Sequence, residues 1–372
     1  MRAYITPCRV PTMALALCLA LSQADATAAT QQVVLAPGIA TLDAAGGGSV
    51  TLQGRISRTP DSLKRRLLID LVPLKMEPPP DRSDPYFRAM MGYFFSDSEA
   101  VEPVSVKLGT RVLRLPPTSP EGVFSSVEAL NATEVAQLRA GRALTLQSLV
   151  TKKTPLASRA PVQWVRERGL TVITDIDDTI KVTEVNNPPE RDRNTFARPF
   201  FAVAGMPALY RHWQQKLGRQ IHFHAVSAGP WQLHQPLREF TAAAGFPPFT
   251  WQMRPMKITD RASLDEIWDR GVGLQRAEDF KVLKITEFMQ AFPRRRVVLV
   301  GDSGERDPEA YARILNRFPE RVDWVLIRDV SSDPQLQTRS DKTLFEAPEQ
   351  RAKLKVFVDP AELKVLPLHA TP

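Results

Sequence analysis

Cysteine is nearly absent from this chain. Its 372 residues contain two, Cys8 and Cys18, both near the amino terminus. That opening stretch reads as an export signal: Arg2 and Arg9 form a positive n-region, Met13 to Ser22 a short apolar run, and Ala24-Asp25-Ala26 a small-residue cleavage pattern. About ten apolar residues reach only halfway across a bilayer, which argues against a spanning anchor. Leu17 is too large for the small residue that usually precedes a lipid-anchored cysteine such as Cys18. Cleavage near Ala26 removes both cysteines and leaves a mature chain without a thiol. Cysteine nucleophiles, thiolate zinc sites and disulfides are then excluded. The expectation is an exported protein, periplasmic or secreted, held by its hydrophobic cores alone.

Long apolar runs are also missing after residue 30, which excludes a multi-span membrane protein. No block of five Lys or Arg occurs, and no nucleic-acid motif, internal repeat or low-complexity tract is found. The formal charge is nevertheless +8, near +7 once Arg2, Arg9 and Asp25 are removed. A basic surface suits anionic lipid headgroups, phosphorylated substrates or nucleic acid, and the missing motifs make nucleic acid the weakest of these.

What is present divides in two. Residues 27–160 read as a smaller β-rich, sandwich-like module: QQVVLAP, GSVTLQGRI, RRLLIDLVPL and VSVKLGTRVLRL alternate in polarity between Gly, Pro and Ser breaks. Glu134 to Ala140 suggests a short helix capped near Asn131 or Thr133. From 165 to 335 the rhythm becomes α/β. The strand-length runs LTVIT (170–174), QIHFHAV (220–226), RVVLV (296–300) and VDWVLI (322–327) alternate with helical patterns, which predicts a parallel sheet with helices on both faces. Residues 336–372 read as a C-terminal extension.

Four pieces carry chemistry. Asp175-Ile176-Asp177-Asp178-Thr179 follows directly on the strand LTVIT, and ligands of open α/β sheets bind beyond the carboxyl ends of strands. Carboxylates at i and i+2 in one turn can share a crevice, and their repulsion calls for a cation or a shared proton, magnesium being the natural partner. Next, Ser227 ends a second strand, with Pro230 suited to the first turn of the following helix; a hydroxyl beside free N–H groups makes a phosphate cradle. Third, Lys281 and Lys284 lie on the helix FKVLKITEFMQAF, where either can reach inward. Last, VVLVGDSGERDPEAY delivers Asp302 from a strand, with Asp307 five residues on. Each piece alone has a plainer explanation: an acidic turn, a helix cap, surface lysines, an ordinary strand-to-helix turn.

In this order the four pieces resemble the haloacid dehalogenase-like phosphatases. DIDDTIKVTEV, SAGPWQL and FPRRRVVLVGDSGERDPEAY are most similar to the catalytic domain of the actin-patch type phosphatidate phosphatases. The resemblance covers about 165–335 and implies a Rossmannoid fold and a magnesium-dependent phosphoric monoester hydrolase. Asp175 would be the nucleophile and Asp177 the acid and base. Ser227 and Lys281 would hold the phosphoryl oxygens, Lys281 being preferred to Lys284 by its distance to Phe292-Pro293. Asp175, Asp177 (through its carbonyl), Asp302 and Asp307 would serve the metal. Thr179, Arg254 and Lys257 join Ser227 as candidate substrate contacts. The implied substrate is phosphatidate, hydrolysed to diacylglycerol, or a related lipid phosphate at a membrane surface; no protein partner is evident. Three other readings stay open: a periplasmic phosphatase for soluble phosphomonoesters, a phospho-acceptor receiver, and a non-catalytic envelope protein that binds lipid or glycan.

Three further signals receive structural readings. His222 and His224 alternate on one strand without a third ligand nearby, so they are expected to be packed rather than metal-bound. Met90 to Phe95 is expected in the core. The prolines, Arg254 and Lys257 in FPPFTWQMRPMK (246–257) suggest a surface loop at a substrate entrance that Arg198 and PFFAV also border.

Overall fold

The computed structural model describes residues 30–43, 45–58, 69, 74, 76–258, 270–330, 344–345 and 347–369. The export-signal reading, and the strand expected over RRLLIDLVPL apart from Ile69 and Leu74, lie outside the described residues. Among the described residues no helix is long and apolar enough to cross a membrane.

The first module is one mixed sheet. Its strands are β1 (Gln31–Leu35), β2 (Gly38–Leu42), β3 (Gly48–Arg58), β4 (Asp97–Ser98), β5 (Val104–Leu108), β6 (Arg111–Leu115), β7 (Val123–Ala129), β8 (Leu144–Ser148) and β9 (Arg159–Trp164). They bond in the order β1-β3-β2-β9-β8-β5-β6, with β4 and β7 also on β3. Among the described residues only the β2–β9 pairing is parallel. Alternation sends one face inward, so that Val33, Leu52, Val106, Leu146 and Val162 share a core. Two helices accompany it: α1 (Pro85–Phe94), capped by Asp84, and α2 (Ala132–Arg139), where Asn131 and Glu134 form a reciprocal capping box.

The second module is a six-stranded sheet in the order β12-β11-β10-β13-β14-β15, parallel throughout. Its strands are β10 (Gly169–Thr174), β11 (Ile221–Pro230), β12 (Phe249–Arg254), β13 (Arg295–Asp302), β14 (Val322–Arg328) and β15 (Leu354–Phe357). The chain also forms α3 (Pro188–Asp192), α4 (Met206–Leu217), α5 (His234–Ala243), α6 (Arg270–Ala291) and α7 (Asp307–Arg317). Leu209, Tyr210 and Leu237 of α4 and α5 pack on one face of the sheet, Ile285, Phe288, Tyr311 and Ile314 of α6 and α7 on the other. The chain moves outward from β10 to β11 and β12, then returns to place β13 on β10's other side. That reversal opens a crevice at the carboxyl ends of β10 and β13.

Three expectations are revised. Residues 249–254 are not a surface loop but the edge strand β12, with Phe249, Trp251 and Met253 buried in the shared core. Arg254 and the flanking Pro247, Pro248, Pro255 and Lys257 suggest a loop, but β11 supplies a pairing partner that composition cannot reveal. β11 runs on through Pro230 with a register shift after Ser227, and a short 3₁₀ turn intervenes, so Pro230 precedes the helix rather than opening it. Leu354–Phe357, within the stretch read as a C-terminal extension, is the sheet's last strand.

The modules also share a core. Met90, Met91, Phe94 and Phe95 lie in the same apolar cluster as Ile180, Phe196, Trp231 and Trp251. The Phe94 ring meets Phe196 edge-on at 5.1 Å, and Arg238 Nη1 donates to the Leu35 carbonyl at 3.2 Å. Met90 to Phe95 are largely buried, as their composition suggests, but against the other module. His222 and His224 are buried on either side of the Thr250 hydroxyl, at 2.9 and 2.7 Å, and stack on Phe288.

Candidate active site

Asp175 leaves β10 with its backbone still in the sheet, its N–H donating to the Val300 carbonyl at 2.9 Å. Asp302 ends the neighbouring β13, and Asp307 opens α7. Three carboxylates from two distant stretches therefore converge: ligand oxygens of Asp175, Asp302 and Asp307 lie within 4.8 Å of one another, all buried. Gly301 makes this approach possible, because a Cβ there would stand 2.2 Å from Asp307 Oδ2. The Asp302 N–H donates to that same oxygen at 3.2 Å, and the Gly304 N–H to Asp302 Oδ1 at 2.6 Å.

Among the described residues, one cation faces this cluster. Lys281 Nζ lies 2.8 Å from Asp175 Oδ1, contacts Asp307, and stands 3.6 Å from Glu305 Oε2. Lys284 instead pairs outward with Glu287 at 2.8 Å, so the structure brings Lys281 to the cluster and not Lys284. Burial, then the neighbouring carboxylates against the relief from Lys281, holds the Asp175 carboxyl well above the usual carboxylate range. Asp302 is raised in the same way by burial and by Asp307 and Asp175. A single ammonium does not balance three buried carboxylates, and Asp175 Oδ2 is buried with no hydrogen-bond partner among the described residues. A hard divalent ion fits both features, since it takes carboxylate oxygens and offsets their repulsion.

Asp177 faces elsewhere. Its Oδ1 is 2.8 Å from Lys181 Nζ and accepts the Thr183 hydroxyl at 2.6 Å, so its carboxylate does not join the triad. Burial alone would raise this carboxyl, but the charge and hydrogen bond of Lys181 and the bond from Thr183 outweigh it and hold it low. Ser227 is buried, with its Oγ accepting the Gly229 N–H at 3.0 Å. Thr179 is fully buried and its hydroxyl lies 3.5 Å from Asp302 Oδ2, so it touches the acidic cluster. Arg254 ends β12 opposite Pro230, its Nη2 3.2 Å from Met256 Sδ, and Lys257 is exposed beyond it.

Residues 170–329 match the family model described as phosphatidate phosphatase APP1, catalytic domain. The segment is similar to that catalytic domain over 160 of the 372 residues. Among curated relatives, the chain is 30% identical over 195 residues to an uncharacterised protein of Schizosaccharomyces pombe, covering 51% of this chain and 30% of the relative. It is 28% identical over 185 residues to phosphatidate phosphatase APP1 of Saccharomyces cerevisiae, covering 48% of this chain and 29% of that protein. The chain thus spans under a third of the length of either relative. The APP1-type segment starts in β10 and ends just past β14, and it includes every acidic residue of the cluster.

Motif reading missed four residues around this APP1-type site. Glu305 sits between Asp302 and Asp307 in sequence and turns toward Lys281; burial raises its carboxyl. Lys181, Thr183 and Asp178 organise the turn after Asp177. The spacing of Lys181, four residues after Asp177, was the one available signal.

Proposed function

We propose that this protein is a magnesium-dependent phosphoric monoester hydrolase that converts phosphatidate to diacylglycerol through an aspartyl-phosphate on Asp175. The observation that carries this reading is the buried carboxylate triad with Lys281 at 2.8 Å from Asp175, at the crevice between β10 and β13. The family match over residues 170–329 supports the reaction class, and the named yeast relative supports the substrate.

Asp175, Asp302 and Asp307 would hold the ion, with the Asp177 carbonyl. Bound there, magnesium would neutralise phosphoryl oxygens and relieve the repulsion of the triad. The protein's own groups do the rest. Asp175 attacks phosphorus, the bond from phosphorus to the glycerol oxygen breaks, and Asp177 gives that oxygen a proton. Water then attacks the phosphoryl group, Asp177 takes its proton, and the bond to Asp175 breaks to release inorganic phosphate. Lys181 and Thr183 favour the ionised Asp177 that accepts a proton, whereas an arriving phosphate dianion favours the protonated form that donates one. Lys281 lies where it can neutralise the transferred group, and the Ser227 hydroxyl keeps its proton free to donate to a phosphoryl oxygen.

The test is hydrolysis of phosphatidate in mixed micelles, lysophosphatidate and soluble phosphomonoesters, each with and without magnesium. Phosphatidate should be turned over fastest, with a rate that follows its surface concentration, and Asp175→Asn should abolish turnover of all three. Equal activity of that variant, purified free of host phosphatase, would refute the assignment; a marked preference for soluble esters would refute the lipid substrate. Export belongs to this reading on the strength of residues 1–26, and an uncut chain confined to the cytosol on cell fractionation would contradict it.

A further inference from the structure

The turn after Asp177 carries an arrangement that the chemistry above leaves unused. Asp178 has φ +53° and Glu184 φ +59°, two of the three non-glycine residues with positive φ among the described residues. A left-handed backbone is unfavourable for residues with a Cβ, and such outliers persist only where their surroundings enforce them. Here one group enforces both. The Asp178 carboxylate accepts the N–H of Thr183 and of Glu184 on Oδ1, each at 2.8 Å, and the N–H of Val185 on Oδ2 at 2.7 Å. Successive N–H groups around a left-handed residue form a concave anion site, a nest. In this protein the anion is the chain's own carboxylate.

The rest of Asp178 is equally engaged. Its N–H donates to the Lys181 carbonyl at 2.7 Å, and its carbonyl accepts Arg328 Nη1 at 2.7 Å. Arg328 ends β14 directly beside Asp302. The loop that Asp178 gathers touches both halves of the site. Thr183 donates its hydroxyl to Asp177 at 2.6 Å, and Val185 lies so close to Gly304 that a Cβ there would stand 2.6 Å from Val185 Cγ2.

We propose that Asp178 is a positioning residue, whose carboxylate fills the nest of residues 183–185 and so delivers the Thr183 hydroxyl to Asp177 and Val185 to the Asp302 loop. Its effect on rate rests on the function proposed above; its effect on the loop does not. The full chain is compared with Asp178→Asn, Thr183→Val and the double variant. Amide hydrogen exchange reads the nest. The Thr183, Glu184 and Val185 amides should lose about tenfold or more of their protection in Asp178→Asn, because one carboxylate oxygen has become a donor facing a donor, while residues 170–174 stay unchanged. Unchanged protection at 183–185 overturns the proposal.

Kinetics with p-nitrophenyl phosphate and magnesium read the positioning. Each single variant should lower kcat about tenfold or more with KM within about threefold, and the double variant should fall no further than the poorer single. Losses that multiply would show Asp178 acting independently of Thr183, and overturn it. If Asp178→Asn does not fold, Thr183→Ser carries the test: the retained hydroxyl should keep kcat near wild type where Thr183→Val loses it. Thr183→Val within about twofold of wild type is the contrary result. A wild-type chain that hydrolyses no phosphomonoester counts against the proposed function, while amide exchange still decides the nest.

Discussion

Replacing Lys281 by methionine is the perturbation whose size the structure sets best. The side chain is 3% exposed, and its ammonium meets Asp175 at 2.8 Å, Asp307, and Glu305 at 3.6 Å. Methionine keeps most of the volume, so the loss is electrostatic. Removing one partner of a buried ion pair costs about 3–5 kcal/mol. Unfolding entropy of about 2.1 cal/mol/K per residue over 372 residues turns that into a fall in Tm of roughly 4–6 °C. The penalty has a pH signature. Burial and like charge hold the Asp175 and Asp302 carboxyls above their unfolded value, so the folded chain binds protons that the unfolded chain has released. Stability then falls as pH rises from the unfolded value of 3.8 through the raised folded values. Without Lys281 those folded values rise further, making the loss larger at pH 8 than at pH 5. Magnesium should recover part of it, because a bound cation offsets the same charge. Thermal melts followed by circular dichroism, with chelator and then with magnesium, provide the assay. A variant melting within about 1 °C of wild type at pH 8 without metal, or losing more at pH 5, would refute the reasoning.

Lys284→Met is the matched control: Lys284 pairs outward with Glu287, and its loss should change stability by no more than about 0.5 kcal/mol in the same melts. Phe94→Ala should cost about 3–5 kcal/mol, since its ring packs edge-on against Phe95 and Phe196. A chain beginning at residue 165 should show no cooperative melt, because its core lacks Met90, Met91, Phe94 and Phe95; a sharp transition would contradict the shared core. His234 is buried against Trp231, both ring nitrogens without a partner among the described residues, and burial lowers its pKa to about 3. It therefore stabilises the fold above pH 6.5 and weakens it as pH falls below that value, by about 1.4 kcal/mol per pH unit. His234→Phe should flatten denaturant-derived stability between pH 6 and 4 by that slope; an unchanged slope would contradict it.

The parallel sheet was legible because its inner strands are buried on both faces and read as unbroken apolar runs. LTVIT and RVVLV each lead into an acidic residue, and position at a strand's carboxyl end carried the inference to Asp175 and Asp302. The edge strand β12 was illegible for the opposite reason: Pro247, Pro248, Pro255, Arg254 and Lys257 outweigh Phe249, Trp251 and Met253 until β11 is in place beside them. Met90 to Phe95 announced burial but not its partner, since the contact with Phe196 and Trp231 links residues far apart in the chain. Asp178 reads as one more acid in an acidic string. Its role depends on φ and on three N–H groups five to seven residues away, neither of which a side-chain pattern encodes.

Acid-quenching the enzyme during turnover of phosphatidate carrying a labelled phosphoryl group, then mapping the label by peptide, interrogates the chemistry itself. A phosphoryl group labile to hydroxylamine should appear on the peptide containing Asp175, and Asp177→Asn should increase its yield. Turnover without any labelled peptide, or a label on a peptide lacking Asp175, would contradict the aspartyl-phosphate route.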